Sequence, residues 1–216
     1  MNAVKLAAEL GRTYSSLLKI DIKSKKESEI FKWFLASILF GKPIREETAI
    51  KTFQLFIAEK IDAPEKITRT GWKGLVDILD RGGYVRYDFS TATKLLEIME
   101  KLRKDYKGKV TNIHAAAKDS TDLEKRLMEF KGVGPLTTNI FLRELRTVWK
   151  KADPEPCRLV KEAAKKLKIS LKKQNRKTER FISLECTLLR KGIDLRRKGK
   201  LKGNQNGKKA YKGDGA

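Results

Sequence analysis

Cysteine and histidine are scarce in this chain of 216 residues, which contains two cysteines, Cys157 and Cys186, and one histidine, His114. Two distant thiols and one imidazole cannot supply the four ligands of a structural zinc site or of an iron–sulfur cluster. They do not have the pattern of a disulfide framework either. We therefore expect no metal and no other cofactor, so any chemistry must rest on carboxylates, lysines or backbone groups.

Long apolar runs are also missing. The longest candidate, residues 30–40, is interrupted by Lys32 and is far shorter than the ~20 residues that a membrane-spanning helix needs. Residues 1–5 have no long apolar core followed by a small-residue cleavage site, so no secretory signal is predicted. We expect an intracellular protein, in the cytoplasm, nucleoid or nucleus, without a membrane partner.

Acidic residues are few relative to basic ones. Lys and Arg number 50 against 27 Asp and Glu, which gives a formal net charge of +23 at pH 7. Such an excess opposes the compact state through self-repulsion and is typical of proteins that bind a polyanion. Nucleic acid is the partner that this charge favours. Two other interpretations stay open: a lysine-rich protein that is merely very soluble, and a protein that binds an anionic membrane surface.

Apolar residues recur at helical spacing along most of the chain, and no segment alternates convincingly at period two. The sequence therefore predicts an all-α protein. Ser90 is a predicted N-cap, and residues 121–124 (Thr-Asp-Leu-Glu) have the pattern of a capping box. We predict helices over residues 27–40, 46–60, 72–80, 90–106, 121–128, 135–149, 153–167 and 178–190.

Two segments near the C-terminus differ in composition. Residues 165–177 contain seven Lys or Arg and no acid. After Gly192 the chain is rich in Gly, Asn and Lys and has almost no apolar residues. Such a segment cannot bury enough surface to offset the entropy of ordering it, so residues 193–216 are predicted to be a disordered basic tail.

The most informative motif is a short turn, Gly132-Val133-Gly134, between two predicted helices. The two glycines allow backbone dihedrals that are closed to other residues, and they leave N–H groups uncovered. Pro135 suits the first position of the second helix. The open N–H groups and the helix N-terminus would form a phosphate site, to which Lys131 adds charge.

An ordinary αα-corner is the alternative interpretation of this turn, because such corners also favour glycine. The net charge and the apolar helix that follows favour phosphate binding. The predicted DNA-contacting residues are Lys131, Gly132, Val133, Gly134, Leu136 and Thr137, and Val133 is expected to fill the gap between the two helices.

Residues 130–145 (Phe-Lys-Gly-Val-Gly-Pro-Leu-Thr-Thr-Asn-Ile-Phe-Leu-Arg-Glu-Leu) resemble the hairpin of the helix-hairpin-helix (HhH-GPD) DNA glycosylase superfamily. Residues 35–40 resemble the helix that opens the six-helix barrel of that fold. Residues 83–88, with 91–93, resemble a poorly characterised endonuclease III-like branch. The resemblance covers roughly residues 28–190, and the missing cysteines imply a branch without the iron–sulfur cluster.

The resemblance implies a catalytic role for Asp153. In this superfamily an aspartate after the second hairpin helix stabilises the oxocarbenium-like sugar and assists the nucleophile as the N-glycosidic bond breaks. Asp153 and Arg158 have the superfamily's Asp-x-x-x-x-Arg spacing. An ionised carboxylate stabilises developing positive charge most strongly in a dry cleft. Asp153 before Pro154 is equally suited to a helix N-cap, and that structural role stays open.

Leu136 stands where bifunctional members of the superfamily have the lysine that forms a Schiff base with the sugar. Leucine cannot do so. The resemblance therefore implies a monofunctional glycosylase without strand-cleaving lyase activity, unless another lysine substitutes, Lys131 being the nearest in sequence.

Four further residues are weaker candidates. Lys42 stands at the end of the barrel's first helix, where superfamily members present a side chain that fills the gap left by an extruded base; a solvated loop lysine is the alternative. Trp72, Tyr84 and Tyr87 are predicted to line a base pocket, because flipped bases stack on aromatic rings. Aromatic residues at this spacing are also typical of a core.

Together these features predict a two-lobed helical fold. Residues 26–135 would form a six-helix barrel lobe that ends in the hairpin, and residues 1–25 with 136–192 would form the second lobe. The expected function is a base-excision-repair N-glycosylase that acts as a monomer on a base flipped from duplex DNA. The alternatives are a non-catalytic helix-hairpin-helix DNA-binding protein and a basic RNA-binding helical protein.

Overall fold

The protein is described by a computed structural model that covers residues 12–172 and 174–201. These residues form ten α-helices and one 3-10 turn, Ile22–Ser24, and no strand. The predicted all-α fold class is confirmed. The helices are α1 (Tyr14–Leu17), α2 (Glu27–Phe40), α3 (Glu46–Ala58), α4 (Pro64–Gly82), α5 (Asp88–Tyr106), α6 (Thr111–Ala116), α7 (Ser120–Met128), α8 (Pro135–Glu144), α9 (Arg158–Lys166) and α10 (Glu179–Arg197).

Helix α2 lies at the centre of the molecule and packs against α3 and α8, while α4 packs along α5. Its bounds are those predicted from its apolar spacing. Trp33 of α2 donates from Nε1 to the carbonyl of Phe141 in α8 at 3.0 Å. Phe34 packs edge-on against Phe141 and Phe130. These contacts hold the second hairpin helix against the core.

Two helices begin earlier than the sequence predicted. Helix α4 begins at Pro64 instead of residue 72, and Gly71 interrupts it with φ +67°, a left-handed conformation that suits glycine. Helix α5 begins at Asp88 with Tyr87 at its N-cap. Ser90 is therefore inside the helix, where its hydroxyl donates to the carbonyl of Tyr87 instead of capping the N-terminus.

The predicted capping box at residues 121–124 is wrong. Asp119 caps α7 instead, and its Oδ1 accepts the N–H of Asp122 at 2.8 Å. Because Asp119 already satisfies this first-turn donor, Glu124 is free of a capping role. Its side chain is therefore available to the surface that α7 shares with the hairpin.

The helix predicted to begin at Asp153 begins only at Arg158, with Cys157 at its N-cap. The segment before it contains Pro154 and Pro156, and each proline disfavours helical dihedrals in the residue before it. Residues 153–156 are therefore not helical, and Asp153 does not cap a helix. Helix α8 also ends at Glu144, shorter than the predicted 135–149.

The C-terminal helix extends beyond its predicted end. Thr178 caps α10 by accepting the N–H of Phe181 at 3.2 Å. The helix continues to Arg197, so residues 193–197 of the predicted disordered tail are helical. Arg196 forms an ion pair with Glu162 of α9 at 3.0 Å, which holds this last part of the helix in place. Residues 202–216 lie outside the described residues.

A buried polar network connects the N-terminal segment to α8. The carboxylate of Glu144 accepts the N–H groups of Tyr14 and Ser15 at 2.8 and 2.9 Å. One large apolar cluster includes residues of this segment, of α2–α8 and of α10, and a smaller cluster lies between α9 and α10. Residues 12–25 thus contact the segment that follows the hairpin, and the division into two lobes stays a prediction.

Candidate functional site

The hairpin turn connects α7 to α8 through one left-handed glycine. Gly132 has φ +87°, a value that side chains rarely tolerate. The Val133 N–H donates to the carbonyl of Phe130 at 2.9 Å, which closes the turn. Val133 is 3% exposed, so it fills the space between the helices as the sequence predicted.

Gly134 has a different role from Gly132. Its backbone is extended (φ −94°, ψ −175°), which any residue can adopt, and a Cβ placed on it would meet nothing within 4 Å. The expectation that both glycines need unusual dihedrals is therefore wrong for Gly134. Gly134 is the N-cap of α8 and provides no side-chain cap, so the N–H groups of Leu136 and Thr137 in the first turn have no partner within the helix. This end of α8 can accept an anion.

The hairpin lies against the end of α2 and against α5. A Cβ on Gly41 would overlap the hydroxyl of Thr137, so α8 approaches α2 as closely as glycine permits. A Cβ on Gly132 would come within 2.7 Å of Lys94 Cδ, so the stem of Lys94 crosses the turn. Lys42, half-buried, interacts with Lys94. The predicted residue Lys42 is therefore close to the hairpin.

Lys131 extends from the turn into solvent. Its side chain is 70% exposed, and its Nζ forms an ion pair with Glu97 of α5 at 2.7 Å. An exposed pair of this kind contributes little to stability, so Lys131 can exchange this carboxylate for a phosphate at small cost.

Asp153 is held between two arginines. Its Oδ2 accepts a hydrogen bond from Arg176 Nη2 at 2.9 Å, and its Oδ1 lies 3.4 Å from Arg146 Nε. Arg146 is fully buried; it also pairs with the buried Glu185 and donates to the carbonyl of Pro154 at 2.6 Å. The Asp153 side chain remains 25% exposed. Its position is thus fixed, and its charge is balanced by its partners.

A cavity of about 440 Å³ lies between α7, the start of α8 and the segment after Asp153. Ligand pockets typically have volumes of roughly 300–1,000 Å³. Leu136 is 52% exposed, and Asp153 does not line the cavity, although the two residues after it do. The cavity is lined by Glu124, Met128, Pro135, Leu136, Thr138, Asn139, Pro154, Glu155, Cys157 and Arg158.

Glu124 is a functional candidate that the sequence did not indicate. Burial raises the pKa of its carboxyl, and repulsion from Asp153 and Glu155 raises it further. Perturbed carboxyl groups in a cavity are typical of functional sites. The predicted capping box assigns Glu124 a structural role, so the sequence does not indicate it as a functional residue. Its place in the cavity follows from the packing of α7 against the start of α8.

The three predicted base-pocket aromatics lie elsewhere. Tyr84 is a core residue, 1% exposed, and its hydroxyl donates to the carbonyl of Leu39. Tyr87 packs against the same core. Trp72 is exposed and packs against Phe89 with ring centroids 5.3 Å apart. None of the three lines the cavity beside the hairpin. The prediction that Tyr84 lines a base pocket is wrong, because its ring is buried in the core.

Among the described residues, no group of three or more His, Cys, Asp or Glu side chains is placed so that it could bind a metal ion. The ring of His114 stacks on Trp149 with centroids 4.7 Å apart, and Cys186 is buried. Within the same residues, no helix is both long and apolar enough to cross a bilayer.

Comparison with known proteins gives one similar structure. A solved structure of H. pylori 3-methyladenine DNA glycosylase (MagIII), bound to 1,N6-ethenoadenine, matches with a TM-score of 0.52 and 14% sequence identity. The match covers 92% of this chain and 99% of that chain. No protein-family model and no curated protein sequence matches. The chain therefore shares its fold, over nearly its whole length, with a DNA glycosylase.

Proposed function

We propose that this protein is a DNA N-glycosylase of base-excision repair, within an endonuclease III-like branch that lacks the iron–sulfur cluster. The observation that carries the proposal is the position of the cavity. It begins at Leu136, in the turn of α8 whose N–H groups are open, and it lies beside two carboxylates, Glu124 and Glu155. A phosphate on the hairpin would thus bring duplex DNA to a pocket of suitable size for a flipped base. The shared fold supports this function.

The residues suit hydrolysis of an N-glycosidic bond. As the base leaves, positive charge develops on the sugar, and a fixed carboxylate stabilises that charge. We assign this role to Asp153, whose carboxylate forms an ion pair with the buried Arg146. Arg176, the more exposed of its two partners, would have to move aside for the sugar to approach. Glu124 lines the adjacent cavity, and its raised pKa makes it the candidate proton donor to the leaving base.

Leu136 supports a monofunctional enzyme, since it has no amine to attack the sugar. Water would then be the nucleophile, and the product would be an intact strand with an abasic site. Lys131, Thr137 and the hairpin backbone would hold the phosphates, with Lys42 on the same surface. The protein would act as a monomer and bind the duplex between its two predicted lobes.

The direct test is a panel of duplex oligonucleotides, each with one lesion, incubated with excess protein for a single turnover. Alkali reveals abasic sites as strand breaks. Because the similar structure is a 3-methyladenine glycosylase bound to 1,N6-ethenoadenine, alkylated and etheno-adducted purines are the first lesions to include. We expect breaks with alkali and few without it.

A second candidate function is a non-catalytic DNA-binding protein. One observation favours it: both oxygens of the Asp153 carboxylate lie next to arginines, which reduces the field available to a developing cation. Binding to undamaged and damaged duplexes with equal affinity, together with no base release from any lesion of the panel, would favour this candidate.

A further inference from the structure

Two lysine side chains converge beside the hairpin turn. The stem of Lys94, on α5, crosses Gly132, as its Cδ would lie 2.7 Å from a Cβ at that position. Lys42 follows Gly41, which lies against Thr137 of α8, and the charge of Lys94 contributes to the lowered pKa of Lys42. Two like charges are thus brought together next to the open N–H groups at the start of α8.

Neither lysine has a carboxylate partner among the described residues. The nearest acid along the chain from Lys42 is Glu46, whose carboxylate accepts from Tyr14 at 3.0 Å and lies 3.7 Å from Arg190. The nearest to Lys94 is Glu97, which pairs with Lys131 at 2.7 Å. The acid nearest in sequence to each lysine is thus already engaged, and neither lysine forms an ion pair with another described residue, so the pair is repulsive unless an anion from outside joins it.

We propose that Lys42 and Lys94 together bind one backbone phosphate of duplex DNA, beside the phosphate held by the hairpin amides. This inference rests on the proposed function insofar as it requires DNA on the hairpin surface. A phosphodiester between the two ammonium groups would turn their repulsion into two charge-assisted hydrogen bonds. In this proposal Lys42 contacts a phosphate of the DNA backbone and does not fill the gap left by a flipped base.

The protonation of Lys42 gives this site a distinctive signature. Burial, and next the charge of Lys94, lower the pKa of Lys42 to about 8. The other charged groups around the turn, Lys131 and Glu97, are paired with each other. A bound phosphate raises the pKa of Lys42 again, so binding takes up a proton above pH 8. Affinity for DNA should therefore be constant below pH 7 and fall as the pH rises past about 8.

The first experiment measures the affinity for an undamaged duplex by fluorescence anisotropy over a range of salt at pH 7. Lys42→Gln and Lys94→Gln should each weaken binding several-fold and reduce the slope of log K against log salt by about 1. The double variant should lose less than the product of the two single losses, because both lysines share one phosphate. Lys104→Gln, on the same helix and with the same charge change, should have a much smaller effect.

The second experiment uses arginine, which stays charged throughout the pH range. Lys42→Arg should keep the affinity at pH 7 and abolish its decline between pH 8 and 9. Lys94→Gln should move the decline to higher pH, as one cause of the lowered pKa is removed. Melting temperatures establish that each variant is folded, and Lys94→Met preserves the stem across Gly132 if the glutamine variant is unstable.

Several results would overturn this site. One is that Lys42→Gln and Lys94→Gln bind DNA like Lys104→Gln while the wild type binds with a steep salt dependence; the proposed function would then stand. Another is a rise in melting temperature with inorganic phosphate, at matched ionic strength, that either glutamine variant abolishes while both variants keep the wild-type affinity for duplex DNA, since the ligand would then be free phosphate. A third is a borohydride-trapped complex of Lys42 with abasic DNA, which would make it a nucleophile. Absence of any wild-type binding to duplex DNA would remove this site and the proposed function together.

Discussion

The Nε atom of Arg146 lies 3.4 Å from Oδ1 of Asp153, and the same buried guanidinium forms an ion pair with Glu185. One side chain thus connects the candidate catalytic carboxylate to the interior of the protein. Glu185 is completely buried, so it depends on Arg146 for the compensation of its charge. The carboxylate of Asp153 therefore contacts the core through Arg146 and the surface through Arg176.

Replacing Arg146 by methionine should be strongly destabilising. The change leaves Glu185 without its charged partner in the interior, which typically costs about 3–5 kcal/mol. The measurement is urea denaturation. Arg158→Met is the matched control, because Arg158 makes an exposed pair with Glu162 and should cost less than about 1 kcal/mol. Equal losses from the two variants would show that the Arg146 network is not a structural centre.

The two hairpin glycines should respond differently to alanine. Gly132→Ala forces a left-handed alanine beside Lys94 and should cost about 1–2 kcal/mol of stability. Gly134→Ala should leave the free energy of unfolding within about 0.5 kcal/mol, because its new methyl group meets nothing.

Gly134→Ala should nevertheless weaken DNA binding by on the order of tenfold, or about 1.4 kcal/mol, since its methyl group occupies the space that a phosphate would enter. The loss should be the same for all sequences, because backbone contacts carry no sequence information. Anisotropy and thermal melting of the same sample separate the two effects. Full affinity in folded Gly134→Ala would make the turn purely structural.

Binding to duplex DNA should depend steeply on salt. With a net charge of +23 and several lysines around the hairpin, each neutralised phosphate releases counterions, so log K should fall linearly with log salt. The measurement is affinity for one duplex between low and physiological salt. A flat dependence would exclude binding through the DNA backbone.

Glu124→Gln should stabilise the protein while it reduces activity. The pKa of Glu124 is raised, so at neutral pH its ionised form is disfavoured in the folded state. Glutamine removes this cost, so the free energy of unfolding at pH 7 should rise by less than about 1 kcal/mol, because solvent screens the group. The melting temperature should rise slightly with it. The gain should vanish near pH 4, where the wild-type carboxyl is protonated. A lower melting temperature at pH 7 would contradict this account of the cavity.

The sequence was sufficient for features that depend on local spacing. The bounds of α2, the burial of Val133 and the glycine turn follow from apolar periodicity and from the dihedrals that glycine allows. The prolines at 154 and 156 are a further local signal, since they disfavour a helix that starts at Asp153, and the helix begins at Arg158.

Other features depend on residues that are distant in sequence. Arg176 reaches Asp153, Lys94 crosses Gly132, and Tyr84 lies in the core, and no local pattern predicts such contacts. For this reason the sequence could not distinguish a core role from a pocket role for Tyr84, since a pocket is assembled from several helices. The cavity beside Leu136, and the place of Glu124 in its lining, depend on how α7 packs against α8.

The central claim, base release assisted by Asp153, is tested most directly by single-turnover excision with Asp153→Asn on whichever lesion the wild type processes. Asp119→Asn is the control, because it removes the same charge at a helix N-cap that asparagine also satisfies. We predict that Asp153→Asn lowers the rate of base release by at least about 100-fold. Its DNA affinity should be equal or higher, and Asp119→Asn should stay active. Full excision activity in Asp153→Asn, beside an active wild type, would contradict the account.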